Sequence, residues 1–317
     1  MLYKLIAFQV DKSNNYYILN YGLGCIKLFD KDFMYLRKIG NFSSGLGEFS
    51  NRLKMLQIKD DLFIVVYDKI FRRFTFFTLD GKYIKDIRFT RKVVDNFVFD
   101  GDNTFISSFD IDDKIPVIVV LDSQFNELYS FGKVIPINEK VFEIYSKSVY
   151  KNLLKGIFSG YSYTRLIKND NSIYYIQSNP SKIMEYDKKG EFKKSLLTQT
   201  DFSTNFNSEI KEEEGQFIKR NIAPSEIYRN ITFYKNKYIL SLIPKPAQSF
   251  EDTSKVECYF DCYDLNGNLI DRTTIDLRVN HPLGKVETNV SEDYYSILLY
   301  GKNYFPKIIR YKINIKE

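Results

Sequence analysis

One pattern restricts this chain more than any other. A short apolar run ends in an aspartate, a tight turn follows, and a second run comes back. It reads LFDKDFMYLRKIG from Leu28, TLDGKYIKDIRF from Thr78, VLDSQFNELYSFG from Val120, EYDKKGEFKKSLL from Glu185 and CYDLNGNLIDRTTI from Cys262. A weaker copy, DYYSILLYGKNYFPKIIRYKINI from Asp293, closes the chain. β-branched and aromatic residues dominate the runs, which favours strands, and the runs are too short and too often broken for helices. Two further strand-like runs precede each marker. In the first copy they are Ile6–Val10 and Tyr16–Asn20, before Cys25–Phe29 and Tyr35–Ile39.

Six copies of a four-stranded unit, repeating at intervals of roughly forty residues or more, predict an all-β fold, a six-bladed β-propeller. A sheet of that size alone leaves its faces wet, and packing blade on blade buries them. The blades are expected at about 6–40, 53–89, 95–132, 162–197, 231–275 and 286–315, within a single domain covering 1–317. Aromatics make up 16% of the chain, including 25 Tyr and 27 Phe, which suits packing between blades.

The repeats resemble those of the NHL type. The IGNFSSGLGEF stretch (Ile39–Phe49) is similar to the Gly-rich blade connection of that pattern, and the likeness is greatest to the six-bladed NHL-like β-propeller family of Bacteroidetes. The likeness spans nearly the whole chain and is best in the first two blades. It implies an exported protein, periplasmic or at the cell surface. The chain has no Trp, so neither the Trp-Asp repeat nor the kelch pattern is present.

Two insertions interrupt the repeats. Lys133–Gly160 contains Phe142, Tyr145, Val149 and Leu153 at helical spacing, with Asn138 as N-cap and Gly156 as stop, which predicts a helix over Asn138–Gly156 lying on the propeller. Thr198–Asn230 is expected to hold a second helix at Ser208–Asn221, ended before Pro224.

Loop length sorts the two faces. First–second and third–fourth connections within a blade share one face and are short. Second–third connections and the links between blades share the other face, which carries both insertions and the long loops. Long loops on a rigid scaffold are where binding residues concentrate. The expected site is therefore the long-loop face and the mouth of its channel, with Arg52, Lys54, Tyr163, Arg165, Arg229, His281 and Tyr304 as ligand-binding candidates. Arginines with tyrosines suit an anionic, sugar-like or peptide ligand.

Catalytic chemistry has little to stand on. A single histidine, His281, cannot furnish a multi-histidine metal site, and a Ser-His-Asp triad has few ways to form. A channel calcium needs several oxygen ligands, and the expected inner strands (IAFQV, KMLQI, NFVF, TRLI, ITFY, VETNV) offer Glu287 as their acid. The repeated Asp30, Asp80, Asp122, Asp187 and Asp264 read as turn formers that accept backbone N–H bonds. Cys25, Cys258 and Cys262 form no disulfide framework or zinc pattern and read as buried thiols. The net charge of +6 is spread without a basic run, so nucleic acid is not expected as a partner. No transmembrane segment or cofactor is expected either.

The reading is a monomeric, non-enzymatic propeller that binds a protein, peptide or glycan; the alternative is a hydrolase or lyase acting in the channel. The last copy carries Lys312 where the turn aspartate should stand, so the sixth blade is expected to have three strands. A native chain starting upstream of Met1 would supply the fourth.

Overall fold

The computed structural model describes residues 5–50, 53–90, 94–108, 117–132, 164–178, 181–196, 209–213, 216–220, 230–244, 257–276, 285–291, 294–301 and 304–315. They form a six-bladed β-propeller. Blade 1 is β1 (Leu5–Val10), β2 (Tyr16–Asn20), β3 (Cys25–Phe29) and β4 (Tyr35–Ile39). Blade 2 is β5 (Leu53–Lys59), β6 (Phe63–Asp68), β7 (Arg73–Thr78) and β8 (Tyr83–Arg88). Blade 3 is β9 (Val94–Asp100), β10 (Asn103–Ser108), β11 (Ile118–Leu121) and β12 (Glu127–Phe131). Blade 4 is β13 (Thr164–Lys168), β14 (Ser172–Ser178), β15 (Ser181–Asp187) and β16 (Phe192–Leu196).

After a hairpin of β17 (Glu209–Glu213) and β18 (Gln216–Arg220), blade 5 is β19 (Asn230–Tyr234), β20 (Tyr238–Pro244), β21 (Glu257–Asp264) and β22 (Leu269–Asp276). Blade 6 is β23 (Lys285–Ser291), β24 (Tyr294–Gly301) and β25 (Tyr304–Lys312). Each blade is an antiparallel meander in chain order, and among the described residues the sixth has three strands where the others have four. The first strand of each blade touches the first strand of the next, and β23 touches β1, which closes the ring around an axis.

Apolar clusters sit between blades, as the composition requires. Tyr17, Leu19 and Ile26 of blade 1 meet Leu56, Ile64 and Phe77 of blade 2. Phe74 is fully buried between blades 2 and 3, tilted against Phe125 and edge-on to Phe97. Burying a side chain of this size contributes about 1.5–3 kcal/mol. At the 6–1 junction the buried apolar residues among those described are Phe8, Tyr16 and Ile18, with Ile308 half-buried beside them.

The turn aspartates behave as the repeat predicts, with one correction. Asp30, Asp122, Asp187 and Asp264 each accept backbone N–H bonds of 2.7–2.9 Å from the residues two and four further on. In blade 2 that position belongs to Thr78, not Asp80. The Thr78 N–H bonds to the Lys82 carbonyl as the aspartate N–H groups do in their turns, and the Lys82 N–H donates to Thr78 Oγ1 at 3.0 Å. Asp80 instead accepts from the Thr78 hydroxyl.

A second correction concerns Ser208–Asn221. It does not form the expected helix; it forms the β17–β18 hairpin, with Glu209 opposite Arg220 and Glu213 opposite Gln216. Gly215 falls between the strands, and glycine favours a turn over a helix interior by roughly 1 kcal/mol. The helix expected over Asn138–Gly156, with Phe142, Tyr145, Val149 and Leu153, lies outside the described residues.

Candidate functional site

The strand boundaries divide the connections as loop length predicts. On one face the turns span no more than 11–15, 30–34 or 122–126. On the other lie the long connections 40–52, 109–117, 132–163, 197–229 (which holds the β17–β18 hairpin), 245–256 and 277–284, together with the short ones 21–24, 69–72, 179–180 and 302–303.

The short-loop face is occupied by its own architecture. Arg37 of β4 donates from Nη1 to the Asp80 carbonyl (2.9 Å), Tyr129 of β12 donates to the Lys188 carbonyl, and Lys194 of β16 donates to the Leu265 carbonyl (2.9 Å). These three donors are equivalent. Each lies opposite the residue two before its blade's turn aspartate, namely Leu28, Val120 and Glu185. Each reaches the third–fourth turn of the next blade. Asp100 adds a charged tie between blades 3 and 4, held by Lys168 at 3.1 Å and Lys188 at 2.8 Å. Burial works against its ionisation, but the two ammonium groups win and hold the carboxyl below its usual range.

The long-loop face is different in kind where it is described. The 40–50 segment after blade 1 is pinned from below by two buried groups. Asp68, at the end of β6, is fully buried and accepts from Ser50 N (2.6 Å), Ser50 Oγ (2.7 Å), Ile70 N (2.9 Å) and Phe71 N (3.1 Å). Arg73, at the start of β7, pairs with Asp86 of β8 at 2.9 Å and donates to the Gly45 (3.0 Å) and Glu48 carbonyls. Phe49 plugs into the core between blades 1 and 2, its ring tilted against Phe77 at 5.6 Å. Gly24 lets the loop sit close: at φ +54° a Cβ there would lie 3.0 Å from the Phe42 backbone.

The outcome is a fixed loop that shows apolar side chains to water. Phe42 is 63% exposed and Leu46 76%, with Ile70 and Leu23 about half exposed on the adjoining loops. Lys69 and Arg72 are exposed beside Ile70. Sequence reasoning recognised IGNFSSGLGEF as a blade connection but not this patch. The signal available was Phe and Leu placed among small residues, with no strand to bury them.

The candidates chosen from sequence are placed unevenly. Arg165 is the second residue of β13 and half-buried. Lys54 is the second residue of β5, and Tyr304 opens β25 on the third strand of its blade, off the inner ring. Arg52, Tyr163, Arg229 and His281 lie outside the described residues. The structure adds acids to the inner strands. β9 begins at Val94 and carries Asp95 and Asp100, so Glu287 is not the one acid there. Asp95 and Arg165 each hold the second position of an inner strand, which gives the described mouth both signs of charge. Among the described residues, no three His, Cys, Asp or Glu side chains cluster as metal ligands would.

The three cysteines are buried and free, as expected. Burial pushes the Cys258 thiol up to about 12 and the Cys262 thiol up to about 11, so neither is a nucleophile at neutral pH. No helix among the described residues is long and apolar enough to cross a membrane.

No family model matches the chain, and no curated protein does. Solved structures match it by shape. A Bacteroides fragilis protein provisionally described as exported is 13% identical with a TM-score of 0.60, over 94% of this chain and 80% of that one. A member of the DUF4221 family from Bacteroides vulgatus is 11% identical with a TM-score of 0.58, over 99% and 94%. Virginiamycin B lyase from Staphylococcus aureus is 10% identical with a TM-score of 0.50, over 100% and 86%. At these identities the likeness is one of fold. Propellers host many functions, so it leaves the chemistry to the site.

Proposed function

We propose that this chain is a non-enzymatic binding propeller that recognises a protein, peptide or glycan through its long-loop face. The observation that carries this is the pinned 40–50 loop. Buried Asp68 and Arg73 hold it rigid, while Phe42 and Leu46 stay in solvent with Ile70 beside them. A loop held this firmly loses little conformational freedom on binding, and exposed apolar groups in a patch are characteristic of contact surfaces. Lys69 and Arg72 favour a partner with some acidic character. The same proposal keeps Arg52, Lys54, Tyr163, Arg165, Arg229, His281 and Tyr304 as the ligand-binding candidates. The proposal treats 1–317 as one domain, with insertions at about 133–160 and 198–230.

The NHL-like reading of the repeats, and a periplasmic or cell-surface monomer of the Bacteroidetes type, belong to the same proposal. The IGNFSSGLGEF connection supports it, and so does the shape shared with the two Bacteroides proteins.

The test uses glycan and peptide arrays probed with the native protein, with the F42S/L46S double variant, and with L62S, which alters an exposed leucine on the short-loop face. Array features bound by the native protein and by L62S but lost with F42S/L46S are the expected result. Binding that survives in F42S/L46S and disappears in L62S overturns the choice of face. Turnover of a bound array ligand overturns the non-enzymatic part.

A further inference from the structure

The outer edge of blade 6 lies away from the long-loop patch, and a comparison inside the molecule shows what it lacks. Phe33 and Phe125 are the same residue of the same turn. Each lies three after a turn aspartate, each donates its N–H to that aspartate's carbonyl (3.0 Å), and each has a left-handed φ, 63° and 64°. Phe125 is 9% exposed, packed on Phe74 and Phe76 of the preceding blade in a cluster that includes Ile87 of that blade's fourth strand, β8. Phe33 stacks on Tyr16 of its own blade at 4.4 Å and is 37% exposed, with Met34 next to it in sequence at 65%.

The third strands tell the same story. Lys312 lies opposite Tyr294 as Asp264 lies opposite Tyr238, which aligns Ile308, Ile309 and Arg310 with Phe260, Asp261 and Cys262 of blade 5 and with Ile26, Lys27 and Leu28 of blade 1. In blade 3 the matching residues are Ile118, Val119 and Val120, all fully buried. Ile308, Ile309 and Arg310 are all only half-buried. Among the described residues, blade 6 has the third strand of a complete blade with no fourth strand beside it.

The charge at this edge is reversed relative to blade 4. There, Glu185 of the third strand is met by Lys194 from the fourth at 3.8 Å. The equivalent residue in blade 6 is Arg310. Its guanidinium donates to the Lys31 carbonyl at 3.3 Å and lies over the Tyr294 ring at 4.2 Å. The strand Tyr304–Lys312 carries Lys307, Arg310 and Lys312 and no acid. Two such edges would repel, which disfavours a second copy of this chain as the occupant. Pro306 lacks an N–H, but it stands before the stretch that pairs in other blades, since Ile26–Phe29 is what β4 engages in blade 1.

We propose that the edge of β25 at Ile308–Arg310 is a strand-addition site. It takes an extended segment of a partner polypeptide, antiparallel to β25, with an acidic residue opposite Arg310 and apolar side chains over Phe33. Main-chain hydrogen bonds give such a contact its affinity, and the flanking side chains give it selectivity. The inference goes beyond the long-loop reading and does not depend on it.

This chain supplies a suitable probe. In β22, Asp271 lies opposite Cys262, the residue equivalent to Arg310. A synthetic peptide of residues 268–276 (NLIDRTTID) therefore places an acid where the proposal needs one. Its binding to the full chain is measured by fluorescence anisotropy, and its location by hydrogen–deuterium exchange. Slowed exchange is expected at the Ile308 and Arg310 amides, which by alternation point away from β24, with roughly threefold weaker binding of the D271K peptide, the usual scale of one opposed cross-strand charge pair. The proposal is overturned by no change at Ile308 and Arg310 with saturating peptide, by equal binding of a scrambled peptide, or by strong protection of these two amides before peptide is added. Protection that grows with protein concentration alone replaces the partner with a second copy, and also overturns it.

Discussion

The two faces of the ring handle polar groups in opposite ways. On the short-loop face the named carboxylates are consumed by turns or by ties to the next blade: Asp30, Asp122, Asp187 and Asp264 in turns, Asp100 between two lysines. On the long-loop face the charged groups are driven underneath, where Asp68 and the Arg73–Asp86 pair hold a loop whose outer side is apolar. The difference shows that polar satisfaction and display are separate tasks. A face that spends its polar groups on holding itself together has few left for a partner. A face that buries them can present a fixed apolar surface.

The largest effect should come from the buried pair. R73M leaves Asp86 without its cation and removes two bonds to the 45–48 turn, at a cost of about 3 kcal/mol in chemical denaturation. If the loss is below about 1 kcal/mol, the loop is not held from beneath and the contrast between faces weakens. Next come the turns. D264A and D122A should each lower the denaturation midpoint measurably, while D80A lowers it markedly less because Thr78 holds that turn. Equal losses at all three would restore Asp80 to the repeat position.

Acid gives a smaller effect. The folded-state pKa of Asp100 is depressed below the unfolded 3.8, so its stabilisation is full above that value and is lost as pH falls through the folded one. The K168M/K188M variant should lose that acid-sensitive share, under about 1 kcal/mol for a partly exposed pair, visible as a flatter stability curve between pH 4 and 2. Smallest is the thiol test. At pH 8 a disulfide-exchange reagent should leave the folded protein unlabelled and react with all three cysteines once it is unfolded.

Much of the ring was legible before any coordinates. The Asp-turn markers located the third–fourth hairpin of blades 1 to 5, and the strand-like runs before them placed the inner strands. Period-2 patterning and turn chemistry are local signals, and local signals survive in a sequence. Thr78 was missed because TLDGK contains an aspartate two residues late, and pattern matching prefers the aspartate. Ser208–Asn221 was misjudged because Ile210, Phe217 and Ile218 fit a helical stripe about as well as two short strands, and pairing energy between strands is not written locally. The apolar patch was not legible at all. Whether Phe42 is core or surface depends on Gly24, Asp68 and Arg73, which are distant in sequence or belong to another blade.

The donors Arg37, Tyr129 and Lys194 all reach forward to the following blade, and Arg310 of blade 6 reaches forward to Lys31 of blade 1. The joint therefore has a direction, with a hook on one repeat and an eye on its successor. A unit carrying both halves can be duplicated in tandem without redesigning the seam, because every new copy arrives able to grip and be gripped. Where a repeat has lost one half, the gene must improvise. Asp271 occupies the hook position of blade 5 with an acceptor, and the following blade has Lys312 in place of the turn aspartate. The seam where the joint changes its chemistry therefore lies between the fifth and sixth blades.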